Sequence, residues 1–324
     1  MATPNSSIGE MLTVTMYKRS KKVADGISKH IPFLKFMKNN QKLVSGGESI
    51  LEEQLFAENP SYQRYSGGES LNTSQTEQFT SFRFTWKQIA VAVVINGLES
   101  DVQNTGSEAV FDLLEKRIEA AEYTMMNGMA SDIESDGTSD GGKQIGGLGL
   151  LVASSVSSGT VGGIDRGTYT WARNQVFDAS DNSITLSNST IQQFWGLCVD
   201  GLTRNSERPT LIYAGGTHYR WYRESLQTVQ RIVKVGEGVA DTVGSELEFL
   251  GIPVINGGGY SGIATATVTR FLNLNHLFFK TAAKRNFVPL KARDSFNQDA
   301  TVRYLAWAGN MTARNLFLQG YSQA

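Results

Sequence analysis

Residues 48–95, ESILEEQLFAENPSYQRYSGGESLNTSQTEQFTSFRFTWKQIAVAVVI, restrict how this chain can fold more than any other segment. Two extended arms flank the turn-rich tip YSGGESLN, so the region from Gly46 to Asn96 reads as one long β-hairpin. The second arm alternates through Phe82, Phe84 and Trp86, then resumes at Ile89, Val91, Val93 and Ile95. The phase slips at Lys87 and Gln88, which predicts a bulge or twist there. About 20 residues per arm at roughly 3.3 Å each would reach on the order of 65 Å. A compact body of 324 residues has a radius of gyration of only about 20 Å. The first arm is too polar to supply a core of its own, and an isolated hairpin is marginal in water. The hairpin therefore folds back across its own body or projects onto a partner chain, and the partner is the preferred reading.

The strongest periodicity follows the hairpin. In SEAVFDLLEKRIEAAEYTMMNGMASDIES, Ser107 to Ser135, apolar residues Val110, Leu113, Leu114, Ile118, Ala121, Met125, Met129 and Ile133 recur at steps of three and four. With Ser107 as N-cap this predicts one helix of about 40 Å, long enough to act as a strut. Further on, TIQQFWGLCVDGLTRN reads as a helix, TLIYA as a buried strand and GTHYRWYRESLQ as a second helix, together an α/β unit. From Ile252 onward IPVIN, TATVTRFLNL, LFFKTA, TVRYLAWAG and NLFLQGY are strand-like. Before the hairpin, Val23, Ile27, Ile31 and Leu34 give weak helical periodicity, interrupted by Pro32. At this length two domains, or one domain with large elaborations, are expected, and 33 glycines against 6 prolines suit many turns and close approaches.

A formal net charge of -1 gives no global attraction to nucleic acid. Locally the N-terminal region is basic: Lys18, Arg19, Lys21, Lys22, Lys29, Lys35, Lys38 and Lys42 stand against the single acid Asp25. It reads either as a solvated face or as a contact for a phosphate-rich partner. The single cysteine, Cys198, has no partner for an internal disulfide and sits on the apolar face of its predicted helix. No apolar run is long enough to span a membrane, and the start MATPNSSIGE lacks the apolar core of a signal peptide, so neither membrane insertion nor conventional secretion is expected.

Catalytic and cofactor motifs find little support. GGGYSG, with Gly257, Gly259 and Gly262, follows a strand but precedes the β-branched IATATVTRF, so no helix N-terminus is offered to a dinucleotide. DIESDGTSDGGK opens like a calcium loop through Asp132, Glu134, Asp136 and Asp140, yet Lys143 takes the place of the bidentate glutamate. His30, His218 and His276 are isolated from any second ligand at metal spacing. No cofactor, metal or enzymatic turnover is expected.

VGGIDRGTYTWARNQ, Val161 to Gln175, has the composition of a contact surface: paired glycines, an Asp and Arg able to pair, and Tyr, Trp and Arg. The alternative is an internal loop pinned by its own Trp171. This segment resembles one in the major capsid proteins of tailed bacteriophages, those with the Hong Kong 97-type capsid fold. GGKQIGGLGLLV, NPSYQRYSGGESLN, FTWKQIAVAVVINGLES and the closing AWAGNMTARNLFLQGY are also similar to that family, in the same order, so the resemblance runs from about Ile8 to Tyr321.

The resemblance implies an α+β chain with an N-terminal arm (1–45), an extended loop (46–96), a peripheral domain with a spine helix (97–145), an axial domain (146–274) and C-terminal strands returning through both domains (275–324). It implies a shell of pentamers and hexamers around double-stranded DNA, assembled in a host cytoplasm and carried in the virion. A separate scaffolding protein, a portal protein and a decoration protein are the further partners. On this reading Tyr65, Gly67, Gly68, Glu69, Phe82, Phe84, Trp86, Asp165, Arg166, Trp171 and Arg173 are candidate subunit contacts. Lys18, Arg19, Lys21, Lys22, Lys35 and Lys38 are candidates to face the lumen, its DNA or a scaffold. The rivals are an encapsulin-like compartment, an α/β enzyme with a glycine-rich pocket, and a DNA-binding adaptor built on the basic arm.

Overall fold

Helix α1, Pro32–Asn39, begins where the sequence predicted an interruption. A proline at the first helical position lacks only an N–H that would go unused there, so Pro32 starts the helix instead of breaking it. The computed structural model describes residues 32–96, 113–227, 247–257, 265–291, 293–294 and 298–323. Ser107, expected as the N-cap of the long helix, and most of the GGGYSG motif lie outside them. Contacts group the described residues of 88–129 and 284–307 into one unit, and those of 30–87, 130–283 and 308–324 into another.

The larger unit is built on a six-stranded mixed sheet ordered β7-β16-β11-β8-β10-β9. Its strands are β7 (Gln175–Asp178), β8 (Leu211–Ala214), β9 (Leu247–Phe249), β10 (Ile252–Asn256), β11 (Val268–Leu272) and β16 (Gly320–Gln323). β8 and β10 run parallel, joined through the helix Gly216–Gln227, and every residue of β8 and β11 is buried. Unbroken apolar runs such as LIYA fit strands covered on both faces. The helix Ile191–Leu202 presents Phe194, Trp195, Cys198 and Leu202 to the same core. There the Trp195 ring lies 4.8 Å from Tyr222 and 6.2 Å from Phe271. α1 buries Phe33 and Met37, with the Phe33 ring 5.0 Å from that of Tyr213.

Within the same unit, β1 (Gln41–Val44) pairs parallel with β12 (Leu277–Ala282), which pairs antiparallel with the last third of β15 (Ala300–Ala313). In the smaller unit the first part of β15 carries β13 (Val288–Pro289) and β14 (Arg293–Asp294). β4 (Lys87–Asn96) also falls largely in that unit, where Arg117 donates to the Val94 carbonyl at 2.7 Å.

The long helix, α2, spans Leu113–Glu134, 22 residues or about 33 Å. Ala121, Met125, Met129 and Ile133 are buried at steps of four, the face the periodicity predicted. At its C-terminal end Glu134 forms a buried ion pair with Arg270 of β11.

Candidate assembly site

The extended loop is rooted in a short ribbon. β2 (Ile50–Leu55) pairs antiparallel with β3 (Phe79–Phe84) through six residue pairs, from Ile50↔Phe84 to Leu55↔Phe79. Six residues at roughly 3.3 Å make a ladder of about 20 Å, far shorter than the two 20-residue arms expected. The second arm is also interrupted: β3 ends at Phe84 and β4 starts at Lys87, so the predicted slip in phase is a gap between two strands. Alternation decides which face is buried. Ile50, Glu52, Phe82 and Phe84 point inward, while Leu51, Leu55 and Phe79 are exposed.

Beyond the ribbon, residues 57–78 form no ladder and are held by local bonds. Asn59 Oδ1 accepts from the Ser61 amide at 2.9 Å, and Gln63 Nε2 donates to the Ser70 carbonyl at 3.1 Å. At the tip Glu69 accepts from the Ser66 amide at 3.2 Å, and Gly68 takes a φ of +94° that suits glycine. Tyr62 is 79% exposed and Tyr65 66%.

The ribbon's base is fastened from several directions. Trp86 Nε1 donates to the Gly47 carbonyl at 2.8 Å and closes the root, while Asn310 Nδ2 donates to the Thr85 carbonyl at 2.8 Å. The Glu52 carboxylate, 3% exposed, receives both Lys280 Nζ and the Thr312 hydroxyl at 2.7 Å. This triad joins β2 to β12 and β15.

The hairpin of β5 (Thr160–Val161) and β6 (Ile164–Asp165) lies against β3. Its turn residues Gly162 and Gly163 have φ of +56° and +81°, the primed-turn geometry that two glycines allow. The Gly162 carbonyl accepts from the Arg83 amide at 2.8 Å. Trp171, in a 3₁₀ turn at Thr170–Ala172, packs its ring at a tilt 5.7 Å from Phe82, 5.8 Å from Phe56 and 5.8 Å from Tyr169. The loop root thus rests on the segment that the sequence singled out.

Asp165 and Arg166 do not pair. The Asp165 carboxylate accepts from the Thr168 hydroxyl at 2.7 Å and the Gly167 amide at 3.0 Å, bonds that hold its pKa below the usual carboxylate value. Arg166 is 3% exposed and donates to the Leu150 and Leu151 carbonyls, closing the end of a one-turn helix at Leu148–Leu151. Burial pulls its guanidinium pKa down to about 10. Arg173 donates back to the Arg166 and Gly167 carbonyls at 2.6 and 2.8 Å.

Three candidate contact residues are therefore interior: Phe82, Phe84 and Arg166 are used up within the chain, because their side chains fall on its buried faces. Tyr65, Gly67, Gly68, Glu69 and Asp165 are exposed, and Trp86, Trp171 and Arg173 are half-buried. Of the basic candidates, Lys18, Arg19, Lys21 and Lys22 lie outside the described residues, as does the side chain of Lys35. Lys38 is half-buried on α1. Glu52, Lys280 and Thr312 carried no sequence signal, since Glu52 and Thr312 stand 260 positions apart. Among the described residues no group of three or more metal-ligating side chains comes together, and no helix is long and apolar enough to cross a membrane.

No family model and no curated protein matches the sequence. Solved structures do match its path. The Cyanophage A-1(L) capsid asymmetric unit is similar with a TM-score of 0.66 at 15% identity, over 93% of this chain and 94% of that one. The capsid of Myoviridae phage XM1 is similar with a TM-score of 0.54 at 13% identity, over 94% and 95%. The chain has the Hong Kong 97-type capsid fold. The holo-SrpI encapsulin complex from Synechococcus elongatus PCC 7942 is similar too, with a TM-score of 0.56 at 8% identity, over 96% of this chain and 94% of that one.

Proposed function

We propose that this chain is the major capsid protein of a tailed phage, a structural protein that assembles into a closed icosahedral shell around double-stranded DNA. The observation that carries the reading is the extended loop. A chain with a capsid fold over nearly its whole length holds out residues 57–78 with Tyr62, Tyr65 and Leu71 in solvent and no ladder partner of their own. Aromatic side chains presented this way gain by burial against a neighbouring subunit, each on the order of 1.5–3 kcal/mol before the entropy of ordering is subtracted. Repeated around pentamers and hexamers, the gain holds a shell together without a catalytic step.

In this account Tyr65, Gly67, Gly68 and Glu69 meet the neighbour, with Trp86, Asp165, Trp171 and Arg173 as further contacts. The basic arm from Lys18 to Lys38 faces the lumen, where scaffold and then DNA supply negative charge. A scaffolding protein, a portal protein and a decoration protein complete the set of partners. An encapsulin-like compartment is the second reading, favoured by the similarity to the SrpI encapsulin.

The test is assembly of the full chain, with and without a candidate scaffold, beside a variant lacking Gly67–Asn72. Shells from the wild type and soluble, unassembled variant support the reading. Normal shells from the deletion would overturn the role given to the loop, and shells filled with protein cargo and free of DNA would select the compartment.

A further inference from the structure

A two-stranded ribbon is marginal in water, so the direction in which this loop leaves the body is set by what touches its six-residue root. On one side stands the ionic triad of Glu52, Lys280 and Thr312. On the other is the β5–β6 hairpin, and the fit there is unusually close. A Cβ added at Gly162 would lie 2.7 Å from Phe82 Cβ, a separation that real Cβ atoms essentially never show, and a tight 3.0 Å from Phe82 Cδ1. Phe82 has no room to retreat, being 0% exposed with the Trp171 ring tilted against it at 5.7 Å. The Gly162 carbonyl also takes the Arg83 N–H on the edge of β3 away from β2, adding one rung to an otherwise two-stranded ladder.

We infer that the Thr160–Asp165 hairpin is a latch that fixes the angle of the extended loop, with Gly162 as the residue that lets it close. The inference rests on the loop reaching a neighbouring subunit, and it adds what aims it. The latch is complete within a single chain, so the loop is aimed before any neighbour is met. When the hairpin lifts, Arg83 loses its acceptor and Phe82 loses part of its cover, and the root keeps the triad and the bonds from Trp86 and Asn310 without the contact along β3.

Gly163 provides the control. It shares the positive φ of its neighbour, +81°, but a Cβ there meets nothing within 4 Å. Gly163→Ala therefore strains the turn without touching Phe82, whereas Gly162→Ala does both. The experiment is amide hydrogen exchange on the full chain before assembly, read at Arg83, with the amides of β8 reporting that the fold is intact. Gly162→Ala is expected to speed exchange at Arg83 by about tenfold or more over Gly163→Ala, in line with the cost of overpacking a filled site, while β8 stays protected. Equal exchange at Arg83 in the two variants would overturn the latch. Both variants and the wild type then go into assembly. Misshapen or open products from Gly162→Ala, beside closed shells from Gly163→Ala, extend the latch to assembly, and closed shells of normal form from both would refute its aiming role. A wild type that never forms shells would overturn the capsid reading and the aiming role with it, while the exchange result would still decide whether the latch exists.

Discussion

Glu52→Ala removes the acceptor shared by Lys280 and Thr312. Breaking a fully buried pair by deleting one partner costs about 3–5 kcal/mol, because the other charge is left without compensation. Here the Lys280 side chain keeps 15% of its exposure and its ammonium lies 3.4 Å from the Leu51 carbonyl, so part of its solvation is recovered. The Thr312 hydroxyl, fully buried, loses its acceptor as well, worth about 1 kcal/mol. The net expectation is a loss of about 2–4 kcal/mol, measured as the shift in urea midpoint of the unassembled chain at unchanged slope. The double variant Glu52→Leu with Lys280→Met removes both charges and keeps the volume, and it should lie within about 1–2 kcal/mol of the wild type. A loss below about 1 kcal/mol for Glu52→Ala, or a double variant as damaged as the single one, would refute the reasoning that this pair holds the root of the loop.

Burial pulls the His218 pKa down to about 4 from an ordinary 6.5, and its Nδ1 shares a hydrogen bond with the Thr269 hydroxyl at 2.8 Å. The unfolded chain takes up a proton in this window that the folded chain refuses, so stability is full above about pH 6.5 and declines toward pH 4, by about 3 kcal/mol in all. His218→Asn should flatten that decline in urea titrations. A Cβ at Gly147 would fall 2.1 Å from the Ile133 carbonyl oxygen, so Gly147→Ala should lower stability by about 3 kcal/mol or more, seen in thermal unfolding. Cys198 is fully buried and burial raises its thiol pKa, so a thiol reagent should label it only as fast as the fold opens.

What was legible in the sequence was what is locally periodic. Met125, Met129 and Ile133 mark one helix face without reference to anything distant, LIYA announces a buried strand by its unbroken apolar run, and IPVIN reads as a strand. The slip in phase at Lys87 did mark the break between β3 and β4, but the ribbon was overread because only pairing shows that its ladder stops at Leu55 and Phe79. Arg166 misled for a related reason: a guanidinium in a glycine-rich turn looks exposed until the carbonyls of Leu150 and Leu151 are placed beside it. The close fit of Gly162 on Phe82 and the triad of Glu52 join parts of the chain too distant for any local pattern to signal.

The central claim is that this chain closes into a shell by lending its loop to a neighbour. Electron microscopy with mass determination on the purified chain, alone and with a candidate scaffold, tests it most directly. The account predicts closed shells, or pentamers and hexamers that convert to shells, with density for residues 57–78 lying on an adjacent subunit. A monodisperse monomer under every condition, or shells in which those residues fold back on their own chain, would contradict it.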